Sequence, residues 1–233
     1  MLILGLTKTT LLDYPGRVAA TLFTGGCNFR CPYCHNKDIV RKKIVPFTDE
    51  EIFSFLDKRR NVLTGVCISG GEPTLHEDLP DFIDRIKKLG YLVKLDTNGT
   101  NPDMLETLIH AGLIDFCAMD IKNAPEKYAA TAGFPESEKT FRLSAVNKSI
   151  HLLMNQQTIA YEFRTTVVKE LHDADDMLSI SKWIAGASAY FLQSYVDSEG
   201  VLCPGFHAHS EETLRFYVEL CKSSVASAAL RGT

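Results

Sequence analysis

Three cysteines fall in one short stretch, Cys27-Asn28-Phe29-Arg30-Cys31-Pro32-Tyr33-Cys34. A gap of three residues and then two lets a single tight loop close around one corner of an iron–sulfur cube. Three thiolates serve three irons and leave the fourth iron without a protein ligand. An open coordination position is where a metal centre does chemistry, as opposed to holding a fold together. Two plainer readings stand beside this one. The same cysteines with His35 fit a structural Cys3His zinc site, and a disulfide plus a leftover thiol is also possible.

Other polar groups gather at a few points of the chain. Ser69-Gly70-Gly71-Glu72-Pro73 offers two glycines that let backbone approach a ligand, and Glu72 can accept a hydrogen bond from an ammonium group. The plain alternative is a Gly-rich turn. Asp96-Thr97-Asn98-Gly99 carries an Asn-Gly turn signal. In Met119-Asp120-Ile121-Lys122, alternation puts Asp120 and Lys122 on one face, which suits ligand hydroxyls and a carboxylate or merely a surface ion pair. Glu162, Arg164 and Thr166 also share a face, either a polar interior wall or a solvent-facing side. His207 and His209 read as solvated loop residues without a visible partner. Cys67, Cys117, Cys203 and Cys221 lack ligand-like spacing; Cys67 and Cys117 lie in apolar runs and are expected to be buried.

Strand-like and helix-like patterns alternate around these residues. Strands are predicted over 18–24, 65–69, 91–96, 114–121, 159–168 and 188–193. Helices are predicted from the Thr48 N-cap to Lys58, with Glu51 completing a capping box, and over 79–89, 102–110, 139–154, 173–184 and 211–223. Residues 123–138 read as a polar stretch. Such alternation implies βαβ units and a parallel sheet. Six units are too few for a closed eight-fold barrel and suit an open, partial (β/α)6 TIM-like barrel. Each polar cluster then falls at the C-terminal end of a strand, where ligands collect in parallel α/β folds. One domain over 1–233 is expected, with a core at about 17–195 and a C-terminal loop and helix over 196–233.

The chain has 233 residues, 45% of them apolar, enough for a sizeable core. The net charge is −4, without a basic stripe, which argues against a nucleic-acid partner. No apolar run approaches a membrane span, and residues 1–10 do not make a convincing signal peptide. Seven cysteines, three clustered and four scattered, argue against a secreted disulfide framework and for a reducing cytoplasm.

With aromatic Tyr33 before its last cysteine, the loop resembles the signature of the radical S-adenosylmethionine (SAM) enzymes. The resemblance covers nearly the whole chain. It implies one [4Fe–4S] cluster on Cys27, Cys31 and Cys34, with SAM chelated at the open iron. Gly70, Gly71, Glu72 and Pro73 match the family segment that holds the SAM amino group. Asp96 and Asn98 match the segment bordering its ribose and methionine. Asp120, Lys122 and Arg164 are implied as further SAM contacts, with Tyr33 and His35 beside the cluster. Gln193 stands where some relatives have a histidine. No catalytic side chain beyond cluster and SAM is implied.

Lys8 to Gly16 and Leu230-Arg231-Gly232 are similar to the ends of the anaerobic ribonucleoside-triphosphate reductase activating proteins, cousins of pyruvate formate-lyase activating enzyme. That likeness implies the following chemistry. An electron from flavodoxin or ferredoxin breaks the sulfonium C–S bond, and the 5′-deoxyadenosyl radical removes hydrogen from a glycine of a partner enzyme. An open barrel would admit such a partner loop. Residues 123–138 and the segment after Gln193 are the expected partner contacts. Three other readings stay open: an activase of another glycyl radical enzyme, of the pyruvate formate-lyase type; a radical SAM enzyme acting on a small molecule, such as 7-carboxy-7-deazaguanine synthase; and a zinc-binding interaction module.

Overall fold

The computed structural model describes residues 1–41, 43–198 and 200–231. Gly232 of the C-terminal segment therefore lies outside the described residues. Among these, eight strands form one sheet in sequence order: β1 (Ile3–Thr10), β2 (Ala19–Thr24), β3 (Gly65–Gly70), β4 (Leu92–Thr97), β5 (Phe116–Asp120), β6 (Ala160–Val167), β7 (Tyr190–Ser194) and β8 (Ala228–Arg231). β1 is antiparallel to β2, and every later neighbour is parallel. The helices are α1 (Lys37–Val40), α2 (Asp49–Lys58), α3 (Leu79–Lys88), α4 (Pro102–His110), α5 (Tyr128–Ala132), α6 (Lys139–Asn155), α7 (Ala174–Trp183) and α8 (Glu211–Cys221). The open partial barrel expected from the βα alternation is present, but it is wider than six strands.

Alternation along the strands sorts the residues. One face carries Val66, Ile68, Val93, Leu95, Met119 and Phe163, all buried in the apolar core with the helices. The other carries Cys67, Lys94, Asp96, Asp120, Glu162 and Arg164, of which Arg164 pairs across the sheet with Asp96 and Asp120, and Lys94 pairs with Asp96 along β4. Glu162, Arg164 and Thr166 are thus an interior wall. Cys67 and Cys117 are fully buried. α2 starts at the expected Thr48–Glu51 capping box, which satisfies two end donors reciprocally.

Three elements differ from expectation. β1 and β8 extend the sheet on either side. β8 reads Ala-Ala-Leu-Arg, without the β-branched residues that mark a strand, and only its pairing with β7 makes it one. The 123–138 stretch contains α5, ended by Gly133 in the left-handed region at φ 70°. The segment between the first two strands closes the base of the sheet. Tyr14 is buried 6.0 Å from the Phe116 ring, and a Cβ on Gly65 would fall 2.8 Å from the Tyr14 ring. Among the described residues no helix is long and apolar enough to cross a membrane.

Candidate cluster and cofactor site

A cavity of about 200 Å³ opens at the C-terminal ends of the parallel strands. Its wall holds Cys27, Cys31 and Cys34 after β2, Gly70 to Glu72 after β3, and Asp96 to Asn98 at the end of β4. Asp120, Lys122, Arg164 and Thr166 complete it from β5 and β6. Tyr33 and His35 line it as well.

Backbone bonds from three directions shape the cysteine loop. Gly26 sits at φ 86° and turns the chain out of β2. Its carbonyl accepts from Glu72 N–H at 2.8 Å, and a Cβ on Gly71 would stand 1.7 Å from that oxygen. Only glycine permits so close an approach. On the far side, Arg30 N–H donates to the Ala132 carbonyl of α5 at 2.9 Å. The segment after β7 straps the loop from above: Leu202 N–H donates to Cys34 O at 2.9 Å and Cys203 N–H to Pro32 O at 2.8 Å. Phe29 N–H donates to Cys27 Sγ at 3.3 Å.

Burial, and then the Glu72 carboxylate, pushes the Cys27 thiol up to about 11; burial pushes Cys31 up to about 12. Such thiols ionise when a metal takes the place of the proton. Among the described residues no three His, Cys, Asp or Glu side chains converge tightly enough for a single metal ion. Three thiols around one concavity fit a cluster with a different iron for each. His35 does not complete a zinc set: its ring stacks on Tyr195 at 5.5 Å and bonds the Val196 carbonyl.

Glu72 is fully buried. Its Oε1 accepts from Thr74 N–H (3.1 Å), Thr74 Oγ1 (2.6 Å) and Thr97 Oγ1 (2.7 Å), while Oε2 accepts from Asn98 N–H (2.7 Å). The carboxylate therefore ties the turn after β3 to the turn after β4, and Oε2 keeps lone-pair capacity for another donor. Asn98 Nδ2 donates to Asn28 Oδ1 at 2.8 Å, linking that second turn to the cysteine loop.

Arg164 is the centre of an ion-pair chain. Its Nε donates to Asp120 Oδ1 at 2.9 Å, and its Nη1 lies 3.4 Å from Asp96 Oδ2. Lys122 Nζ donates to Asp120 Oδ2 at 3.0 Å, and Lys94 pairs with Asp96. Burial favours the neutral acid at Asp120, but Arg164 and Lys122 outweigh it and hold the carboxyl at about 2. Asp96 is lowered by the same balance of burial against Arg164 and Lys94.

Two of the predicted residues stay off the wall. Pro73 is buried as the first residue of the 3-10 turn Pro73–Leu75. Gln193 is half-buried on β7, where its registered neighbour Thr166 holds the wall. His207 and His209 do have partners, contrary to expectation. His207 Nδ1 pairs with Glu170 Oε1 at 2.7 Å, and His209 Nε2 bonds the His172 carbonyl at 2.9 Å. Sequence reasoning missed Asn28, Thr97, Leu202 and His172. His172 is buried, with its Nε2 2.8 Å from the Lys122 carbonyl. Val168 N–H donates to its Nδ1 at 3.1 Å, so Nε2 carries the proton. Nothing local marks such long-range pairings.

The sequence pattern that defines the radical SAM superfamily matches residues 21–176. The chain belongs to the radical SAM superfamily. Members use a [4Fe–4S] cluster and S-adenosylmethionine. The chain is 35% identical over 197 residues to a candidate glycyl-radical enzyme activating enzyme of Methanocaldococcus jannaschii, covering 83% of this chain and 80% of that one. A second such protein from the same organism is 29% identical over 186 residues, 76% of this chain and 67% of that protein. Among solved structures, Streptococcus suis SuiB bound to S-adenosylmethionine superposes with a TM-score of 0.64 over 91% of this chain, at 12% identity. This chain spans 52% of the length of SuiB, and that likeness is one of fold.

Proposed function

We propose that this radical SAM enzyme is an activase that installs a glycyl radical in anaerobic ribonucleoside-triphosphate reductase, with electrons from flavodoxin or ferredoxin. The observation that carries the reading is a loop of three cysteines at the mouth of an open sheet, facing a wall of fixed charges. When bound, the reduced cluster and SAM supply homolytic cleavage of the sulfonium C–S bond and a carbon radical that takes hydrogen.

In this reading Cys27, Cys31 and Cys34 hold three irons. Glu72 Oε2 and the Asp120–Lys122 pair receive and orient the ammonium, hydroxyl and carboxylate groups of SAM, and Asn98 borders them. Arg164 keeps both aspartates ionised and in place. The names of the two archaeal relatives support a protein partner with a glycyl radical. The likeness of the Lys8–Gly16 and Leu230–Gly232 segments supports the reductase in particular.

The test is anaerobic reconstitution with iron and sulfide, followed by incubation with SAM, a reductant and the reductase. A glycyl-radical doublet in electron paramagnetic resonance is expected. A silent reductase, with turnover of a small molecule only, would overturn the reading. Cys27→Ala, Cys31→Ala and Cys34→Ala should each abolish SAM cleavage, and a single variant with full activity would refute the ligand set. A 7-carboxy-7-deazaguanine synthase of Aquifex aeolicus matches 32% of this chain at 34% identity and a candidate GTP 3′,8-cyclase of Thermococcus kodakarensis 71% at 26%, against 83% at 35% for the first of the two activating-enzyme relatives. The small-molecule reading is therefore the less supported one.

A further inference from the structure

Among the described residues two buried side-chain polar atoms lack a hydrogen-bond partner: the hydroxyls of Tyr33 and Tyr128. Both belong to one locus. Tyr33 immediately precedes Cys34 and lines the cavity, and it is 4% exposed. Tyr128 opens α5 and is fully buried.

α5 is the wall on which the cysteine loop is built. The Ala132 carbonyl lies 3.6 Å from Cys31 Sγ and accepts from Arg30 N–H. A Cβ on Gly133 would come within 2.0 Å of the Arg30 carbonyl. Around the Tyr128 ring the neighbours are the rings of Phe29, Phe134 and Trp183, at 5.9 to 6.4 Å. None of these accepts a conventional hydrogen bond. The Lys122 N–H acts on the Tyr128 oxygen without meeting full hydrogen-bond geometry, and it would leave the phenolic proton undonated in any case. A tyrosine phenol keeps its proton at neutral pH, so both hydroxyls are available as donors.

Buried hydroxyls are nearly always paired. Two unpaired ones at a single locus mark an acceptor that the polypeptide itself does not supply. We propose that Tyr33 and Tyr128 donate hydrogen bonds to the sulfur of a cluster seated at Cys31, either its thiolate or an adjoining sulfide, and so favour the reduced cluster. The inference rests on the reading that the three cysteines hold the cluster. A reduced cluster carries one more negative charge, and hydrogen bonds to its sulfurs strengthen with that charge and raise its potential. A cluster that must reduce SAM would thereby be easier to charge from a donor protein.

The test uses Tyr33→Phe and Tyr128→Phe in the reconstituted full-length protein, with a potentiometric titration followed by electron paramagnetic resonance. Iron content should match the wild type. At the potential where the wild type is half reduced, each variant should show a reduced-to-oxidised ratio about fivefold lower. In the metal-free full-length protein the same substitutions should leave the urea midpoint unchanged or raise it, because the deleted hydroxyl has no partner there. An unmoved potential, as a bridging water would give, overturns the proposal. So does a metal-free variant that loses stability. Iron missing from the wild type would count against the cluster assignment, whereas iron present with unmoved potentials counts against the two hydroxyls alone.

Discussion

Glu72 and Asp120 carry opposite electrostatic solutions to burial. Among the described residues Glu72 has no ion-pair partner; burial raises its pKa, and four donors from Thr74, Thr97 and Asn98 oppose that rise. Glu72→Ala strands those donors in a buried site and should cost roughly 3 kcal/mol by urea denaturation, with iron uptake falling as the two turns part. A loss under about 1 kcal/mol would show that the carboxylate does not brace them. Asp120 instead sits between two cations, with its carboxyl held at about 2 against an ordinary 3.8. Its contribution is complete above the ordinary value and is lost as the pH falls from about 4 through 2, amounting to roughly 2 kcal/mol. Asp120→Asn has no such proton to take up and should lose less stability than the wild type across that interval. Parallel curves for the two proteins would rule the pairing out. The identities of Glu72, Asp120, Lys122 and Arg164 were legible from strand-end position and alternation. Their partners were not, because Thr97 and Asn28 are ordinary turn residues until two loops meet.

At the scale of elements, the decisive contact is between two loops that follow neighbouring strands. Gly71 lies against the Gly26 carbonyl, and no side chain fits there. Gly71→Ala should push the turn off the cysteine loop. Iron incorporation after reconstitution should drop at least several-fold, while far-ultraviolet circular dichroism keeps the strand and helix content. Full iron loading would mean that the loop adapts. The longer helices were legible from caps and periodicity, as where Thr48 with Glu51 marks the start of α2, whereas the five-residue α5 lay hidden in the polar 123–138 stretch. The strap after β7 was not. Its bonds to Pro32 and Cys34 are made by backbone N–H groups, which every non-proline residue carries and no motif reports.

At the scale of the molecule, the last strand reaches back to the interior wall. Arg231 forms a two-pronged pair with Glu162, at 2.5 and 2.8 Å, and stacks 3.7 Å above the Phe191 ring. Glu162 is 2% exposed and stands two residues from Arg164 on the same face. Arg231→Met leaves that charge buried without its partner and should cost about 3–5 kcal/mol in thermal or urea unfolding. Adding Glu162→Gln should recover most of the loss. A double variant no better than the single one would show that Arg231 acts by packing and not by charge.

The sequence by itself determined the βα alternation, the open partial barrel and the strand ends at which polar residues collect. These follow from periodicity and turn chemistry, which are local, and a three-cysteine spacing is local too. Only the tertiary structure decided that Arg164 joins two aspartates, that Pro73 and Gln193 stay off the wall, and that a poor strand former becomes β8. Each of those outcomes depends on contacts between residues far apart in the chain, and a side chain's chemistry there is set by what packing brings to it.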